Sequence, residues 1–127
     1  LSVCTAITVQ HESKFESVEW ISGQLIKQQL NLLLQKYPVE FCKIGLIENW
    51  QVLNELCDLL LALNPNMRII LDPIFRASAG FNFHANVSIQ SLQEFLSKLY
   101  LITPNAQELA RIGQEEQDLM GKDCYKS

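Results

Sequence analysis

Apolar residues recur along this chain with two alternating periods, and the alternation sets out a series of elements. Residues 2–9 (SVCTAITV) are short, β-branched and apolar, which predicts a strand buried on both faces. A polar loop follows at residues 11–14. From Ser17 the spacing becomes helical through Ile21, Leu25, Leu30, Leu33 and Tyr37, with Ser17 as N-cap and Pro38 as the stop. Residues 40–47 (EFCKIGLI) predict a second strand. Val52, Leu53, Leu56, Leu60 and Leu63 then mark a second amphipathic helix, ended by Asn64, Pro65 and Asn66. Residues 67–71 form a third strand that runs into Asp72 and Pro73. Residues 75–86 read as a loop. Val87, Ile89, Leu92, Phe95 and Leu96 carry a third helix, and residues 99–102 a fourth strand. Thr103, Pro104 and Asn105 lead into a short helix through Glu108 and Leu109, and the chain from Gln114 onward is polar.

Strands that alternate with helices of this length predict right-handed βαβ crossovers and a parallel sheet. The near-continuous apolar strands agree, because a parallel sheet carries helices on both faces.

Composition narrows the class without changing the fold. Apolar residues make up 48% and charged residues 19% of 127 residues, enough to bury one core. The net charge of −4, with lysines and arginines scattered, excludes a basic nucleic-acid-binding surface. No apolar run approaches the ~18 residues of a membrane span, and no charged-then-apolar leader opens the chain. The expectation is a cytoplasmic protein with no nucleic-acid or membrane partner. Cys4, Cys42, Cys57 and Cys124 have no metal-ligand spacing, and Cys4 and Cys42 lie in apolar strand runs as expected core thiols.

In an open parallel sheet, ligands bind beyond the carboxyl ends of the strands. Each predicted strand hands over to a polar residue or a glycine there: Gln10 after the first, Lys43, Gly45 and Glu48 in and after the second, Asp72 after the third, and Thr103 to Asn105 after the fourth. Asp72 can hold a divalent ion, since magnesium takes one or two carboxylates plus substrate phosphates, or it can cap the turn before Pro73. Asn105 with Glu108 has the spacing of a capping box and equally could organise metal-bound water. Gln10 offers a donor and an acceptor to the edge of a heteroaromatic ring such as an aminopyrimidine, or it is a solvated strand end. Gly80 admits an anion to backbone N–H groups, or simply makes a turn. His11 and His84 have no partner in sequence and take no role.

Four motifs in order, TAITVQ at residues 5–10, KIGLI at 43–47, LDPIFRASAG at 71–80 and LITPNAQEL at 101–109, resemble the hydroxymethylpyrimidine/phosphomethylpyrimidine kinases of thiamine biosynthesis, in the ribokinase-like superfamily. The resemblance covers residues 1–113. It implies a three-layer αβα fold incomplete at both ends, with residues 114–127 as a polar tail or the start of a further element. It also implies ATP and Mg2+ as cofactors, and an aminopyrimidine substrate phosphorylated first on its hydroxymethyl group and then on the product. Gln10 then matches the residue that reads the pyrimidine edge, and Lys43, Gly45 and Leu46 line the same pocket. Asp72, Asn105 and Glu108 match the phosphate and metal side.

The chain departs from that pattern at Gln10-His11-Glu12, where the family has QNT, and at Arg76, where the family is generally apolar. No residue matches the family's C-terminal anion hole or catalytic base. The expectations are therefore no turnover by these 127 residues alone, and either self-association as a homo-oligomer that covers unpaired strand edges or poor solubility. The alternatives are a pyridoxal-type vitamin kinase and a non-catalytic binding protein on the same fold.

Overall fold

The structure, a computed structural model, describes residues 1–72, 89–106 and 109–110. Their elements in chain order are β1 (Ala6–His11), β2 (Lys14–Trp20), α1 (Gly23–Lys36), β3 (Phe41–Ile44), α2 (Trp50–Leu63), β4 (Arg68–Leu71), α3 (Ile89–Ser97) and β5 (Leu101–Ile102). Strands β3, β4 and β5 form one parallel sheet in that order. Phe41 is paired with Arg68, Ile44 with Leu71, and Ile70 with Leu101. The βαβαβ run predicted from residue 40 onward is present, with each element displaced by only a few residues.

The N-terminal quarter differs from its sequence reading. In place of a buried parallel strand over residues 2–9 and a helix from Ser17, β1 and β2 form a separate antiparallel hairpin. Its two strands are joined by Glu12 and Ser13 alone. A connection that short permits only antiparallel pairing, because a parallel pair needs a crossover of a dozen or more residues. Ala6 and Thr8 of β1 face Trp20 and Val18 of β2 and are half-buried, whereas Ile7 and Val9 on the other face are exposed. The apolar run is thus one-sided, not doubly buried. Cys4, expected in the core, is exposed. Cys42 is half-buried and Cys57 buried, and all three are free thiols.

Helix α1 begins later than its sequence reading, because Ser17 belongs to β2, where it pairs with Val9. Ser22, not Ser17, is the N-cap, and its side chain accepts from the Leu25 N–H at 3.3 Å. The stop is the predicted one. Tyr37 is extended, as the residue before a proline prefers, and its N–H still donates to Leu33. Asn49 caps α2 by accepting from Val52 N–H at 3.0 Å. At the other end Asn64 donates from its side chain to the Val39 carbonyl at 3.1 Å, which ties the exit of α2 to the entry of β3.

Alternation along the strands separates the two faces of the sheet. Ile44, Ile69 and Leu71 point into one core with Ile26 of α1, Leu53, Leu56, Cys57 and Leu60 of α2, and Phe95 of α3, and Cys42 and Ile102 pack against it. Phe95 meets Trp50 edge-on with ring centroids 4.5 Å apart. Lys98, just past α3, donates to Asn54 at 2.9 Å and to Asp58 at 2.6 Å on α2. On the opposite face Phe41, Lys43, Arg68 and Leu101 are exposed, with the Arg68 guanidinium 5.1 Å from the Phe41 ring and 5.4 Å from Tyr100. The strands advance in one direction, so right-handed crossovers put α2 and α3 on the same side. Among the described residues the expected αβα stack is therefore represented by two layers. No described helix is long and apolar enough to cross a membrane.

Candidate functional site

The carboxyl rim of the sheet is fixed by hydrogen bonds that continue the ladder past the strands. Asp72 N–H donates to the Ile44 carbonyl at 2.9 Å, and Thr103 N–H to Leu71 at 2.9 Å. Asp72 is thereby held at the end of β4, between the exits of β3 and β5. Lys43 is paired in register with Ile70, and Asp72 lies two residues beyond Ile70, so both side chains project from the face opposite the helices. They meet there: Lys43 Nζ is 2.8 Å from Asp72 Oδ2. This is an ion pair between a half-buried carboxylate and a mostly exposed ammonium.

Asn105 lies two residues past Thr103 on the same rim, and its carbonyl accepts from Leu109 N–H at 2.8 Å, a helical turn at the predicted place. Glu108, Arg76, Gly80, His84 and Cys124 lie outside the described residues, as does the segment 114–127.

Gly45 and Leu46 follow β3 and line a cavity of about 430 Å³ with Lys43, Thr5, Ile26 and Leu30. The cavity runs between α1, the N-terminal residues and β3, and its walls are mainly aliphatic. Neither Asp72 nor Gln10 lines it. It is a mainly apolar groove beside β3, with Lys43 as a charged residue in its lining. Cys42 also lines it, and burial raises that thiol's pKa, which disfavours its thiolate form.

Gln10 is not at the end of a parallel strand. It is exposed in β1, opposite Phe15, where the hairpin register shifts between Val9 and Gln10. The hairpin is nevertheless anchored at the rim. Thr5 Oγ1 donates to the Leu46 carbonyl at 2.6 Å, and Ile21 N–H donates to the Thr5 carbonyl at 3.0 Å, so the base of the hairpin is tied through Thr5 to the exit of β3. Sequence reasoning missed Thr5 because its partner lies 41 residues away. It named Lys43 and Asp72 separately and gave no sign of their pairing.

Among the described residues no group of three or more His, Cys, Asp or Glu side chains could hold a metal ion. A single rim carboxylate suits magnesium, which keeps much of its water and is carried largely by substrate phosphates, and does not suit a metal caged by protein ligands.

The sequence profile described as phosphomethylpyrimidine kinase matches residues 1–124. The hydroxymethylpyrimidine/phosphomethylpyrimidine kinase of Aquifex aeolicus is 30% identical over 117 residues, which cover 91% of this chain and 46% of that protein. The corresponding Bacillus subtilis protein is 27% identical over 109 residues, covering 85% of this chain and 40% of its own. The crystal structure of phosphomethylpyrimidine kinase from Clostridium difficile superposes with a TM-score of 0.61 at 24% identity, covering 94% of this chain and 59% of that one. At that identity the superposition speaks for the fold. The chain spans under half the length of these two curated relatives.

Proposed function

The chain belongs to the phosphomethylpyrimidine kinase family, and from that membership we propose that its protein transfers the γ-phosphoryl group of ATP to hydroxymethylpyrimidine and then to the monophosphate, with Mg2+ as cofactor. The observation that carries the proposal is the Lys43–Asp72 pair at the carboxyl rim of a parallel sheet, the edge where α/β folds bind ligands. Phosphoryl transfer depends mainly on positioning and on stabilising charge. In this reading Asp72, with Asn105 and Glu108, serves the metal and phosphate side. Magnesium, when bound there, neutralises charge on the phosphate oxygens. Gln10 reads the pyrimidine edge from the hairpin, whose tether at Leu46 holds it to the segment 43–46. The same reading makes the protein a cytoplasmic homo-oligomer whose small-molecule partner is the aminopyrimidine.

No residue of the sequence matches the family's base that orients the substrate hydroxyl, and these 127 residues alone are expected to give no product with ATP, Mg2+ and hydroxymethylpyrimidine. Binding is the direct test. In a titration of the isotope-labelled chain, hydroxymethylpyrimidine should shift the backbone amides of Gln10 and Gly45 more strongly than pyridoxal does. A stronger response to pyridoxal would favour the vitamin-kinase alternative. Phosphorylated product from this chain alone would refute the assignment of no base.

A further inference from the structure

Asp72 and Lys43 differ in how freely each can move, and that difference suggests what their contact does. The Asp72 backbone is locked into the ladder by its bond to Ile44, and its side chain is 33% exposed. Lys43 is 64% exposed on a flexible four-carbon stem. The carboxylate is therefore the fixed partner and the ammonium the mobile one. An ammonium has three donors and behaves as a compact point charge that can turn from one anion to another.

We propose that Lys43 is a built-in counter-cation for Asp72. It occupies the carboxylate while the rim holds no divalent ion, then yields the carboxylate to such an ion and turns its ammonium to phosphate oxygens. This role rests on the reading of Asp72 as the metal-side carboxylate. An exposed pair of this kind shifts an equilibrium only a few-fold, so the lysine competes with a metal without preventing its binding. The charge it releases arrives when phosphate oxygens need compensation. Lys43 is thus a positioning residue for anion and metal together, a role beyond lining a pyrimidine pocket.

The consequence runs against ordinary loss-of-function expectation: removing the lysine should tighten metal binding. The 127-residue chain is isotope-labelled and titrated with Mn2+, and paramagnetic broadening of the Asp72 and Ile44 amides is read. Lys43→Met should reach half-broadening at about threefold lower Mn2+ than the parent chain, the scale set by an exposed ion pair. Lys43→Arg, which keeps the charge, should stay close to the parent. When inorganic pyrophosphate is added with the Mn2+, the order should reverse, with the parent chain binding more tightly than Lys43→Met. Equal or weaker Mn2+ binding by Lys43→Met, or no reversal with pyrophosphate, overturns the inference. Asp72→Asn separates the two levels. If it abolishes local broadening while Lys43→Met changes nothing, the lysine inference alone fails. If broadening persists in Asp72→Asn, the metal-side reading of Asp72 fails and takes the inference with it.

Discussion

The Thr5 hydroxyl donates to the carbonyl of Leu46 at 2.6 Å across 41 residues of sequence, and this bond joins the hairpin to the exit of β3. Replacing Thr5 by valine keeps the shape and leaves the part-buried Leu46 carbonyl without that donor. The expected cost is about 1–2 kcal/mol, measured by urea unfolding. Hydrogen exchange gives the local signature: amides of β1 and β2 should lose more protection than those of α2.

Ile69 is fully buried at the centre of the sheet, whereas Ile7 is 58% exposed in the hairpin. Ile69→Ala should cost about 3–4 kcal/mol through lost contacts and a cavity that its neighbours cannot fill. Ile7→Ala should fall within about 0.5 kcal/mol. Similar losses at the two positions in thermal or denaturant melts would contradict the burial assigned to them.

Glu55 on α2 accepts from Lys27 on α1 and from Gln51 one turn earlier. The Lys27 hydrogen bond, followed by that of Gln51, holds the Glu55 carboxyl below its ordinary value of 4.5. A carboxylate with a depressed pKa in the fold contributes stability above its unfolded value and loses it as pH falls through the folded one. The stability difference between the parent chain and Glu55→Gln should therefore be present at neutral pH and disappear under acid below the ordinary carboxylate range. It should also shrink in high salt, because the pair is solvent-accessible.

The three described thiols should separate by accessibility. Burial pushes the Cys57 thiol up to about 12 and also raises Cys42, whereas Cys4 is exposed. Iodoacetamide at mildly alkaline pH, followed by peptide mapping, should modify Cys4 first and Cys57 only on unfolding. The same shift has a linkage consequence. Stability associated with Cys57 is present below the ordinary thiol value of 9.0 and is lost above it, where the unfolded chain ionises and the fold does not. Cys57→Ala should reduce that alkaline loss in melts taken on either side of the value.

From β3 to β5 the architecture was legible because period and punctuation agree. The apolar spacing of α2 ends at Asn64 and Pro65, and Pro38 ends α1 through the conformation it imposes on Tyr37. The hairpin was not legible. Glu12 and Ser13 lack the Gly or Asn that usually marks a two-residue turn, and the β-branched run over residues 2–9 reads the same whether one face or both are buried. Ser17 reads as a helix cap because Ile21 and Leu25 already fit helical spacing, which places Ser22, the residue that does cap α1, inside the helical window. For the site, the position of Asp72 and Asn105 after strands was readable from residue order. Gln10 was not, because the apolar pattern of its strand points to the parallel sheet and not to a hairpin.

Residue order alone gives the succession of helices and strands after residue 40, with Lys43 inside the second strand and Asp72 just past the third, because periodicity and strand exits are properties of neighbouring residues. The pairing of β1 with β2 in a hairpin, the anchoring of that hairpin by Thr5 at Leu46 and the meeting of Lys43 with Asp72 emerge from the fold as a whole. Those outcomes depend on which strand lies beside which and in what register. Pairing of that kind is chosen by the packing of the whole core, with Ile44, Ile69 and Leu71 buried together, and no local window of sequence contains it.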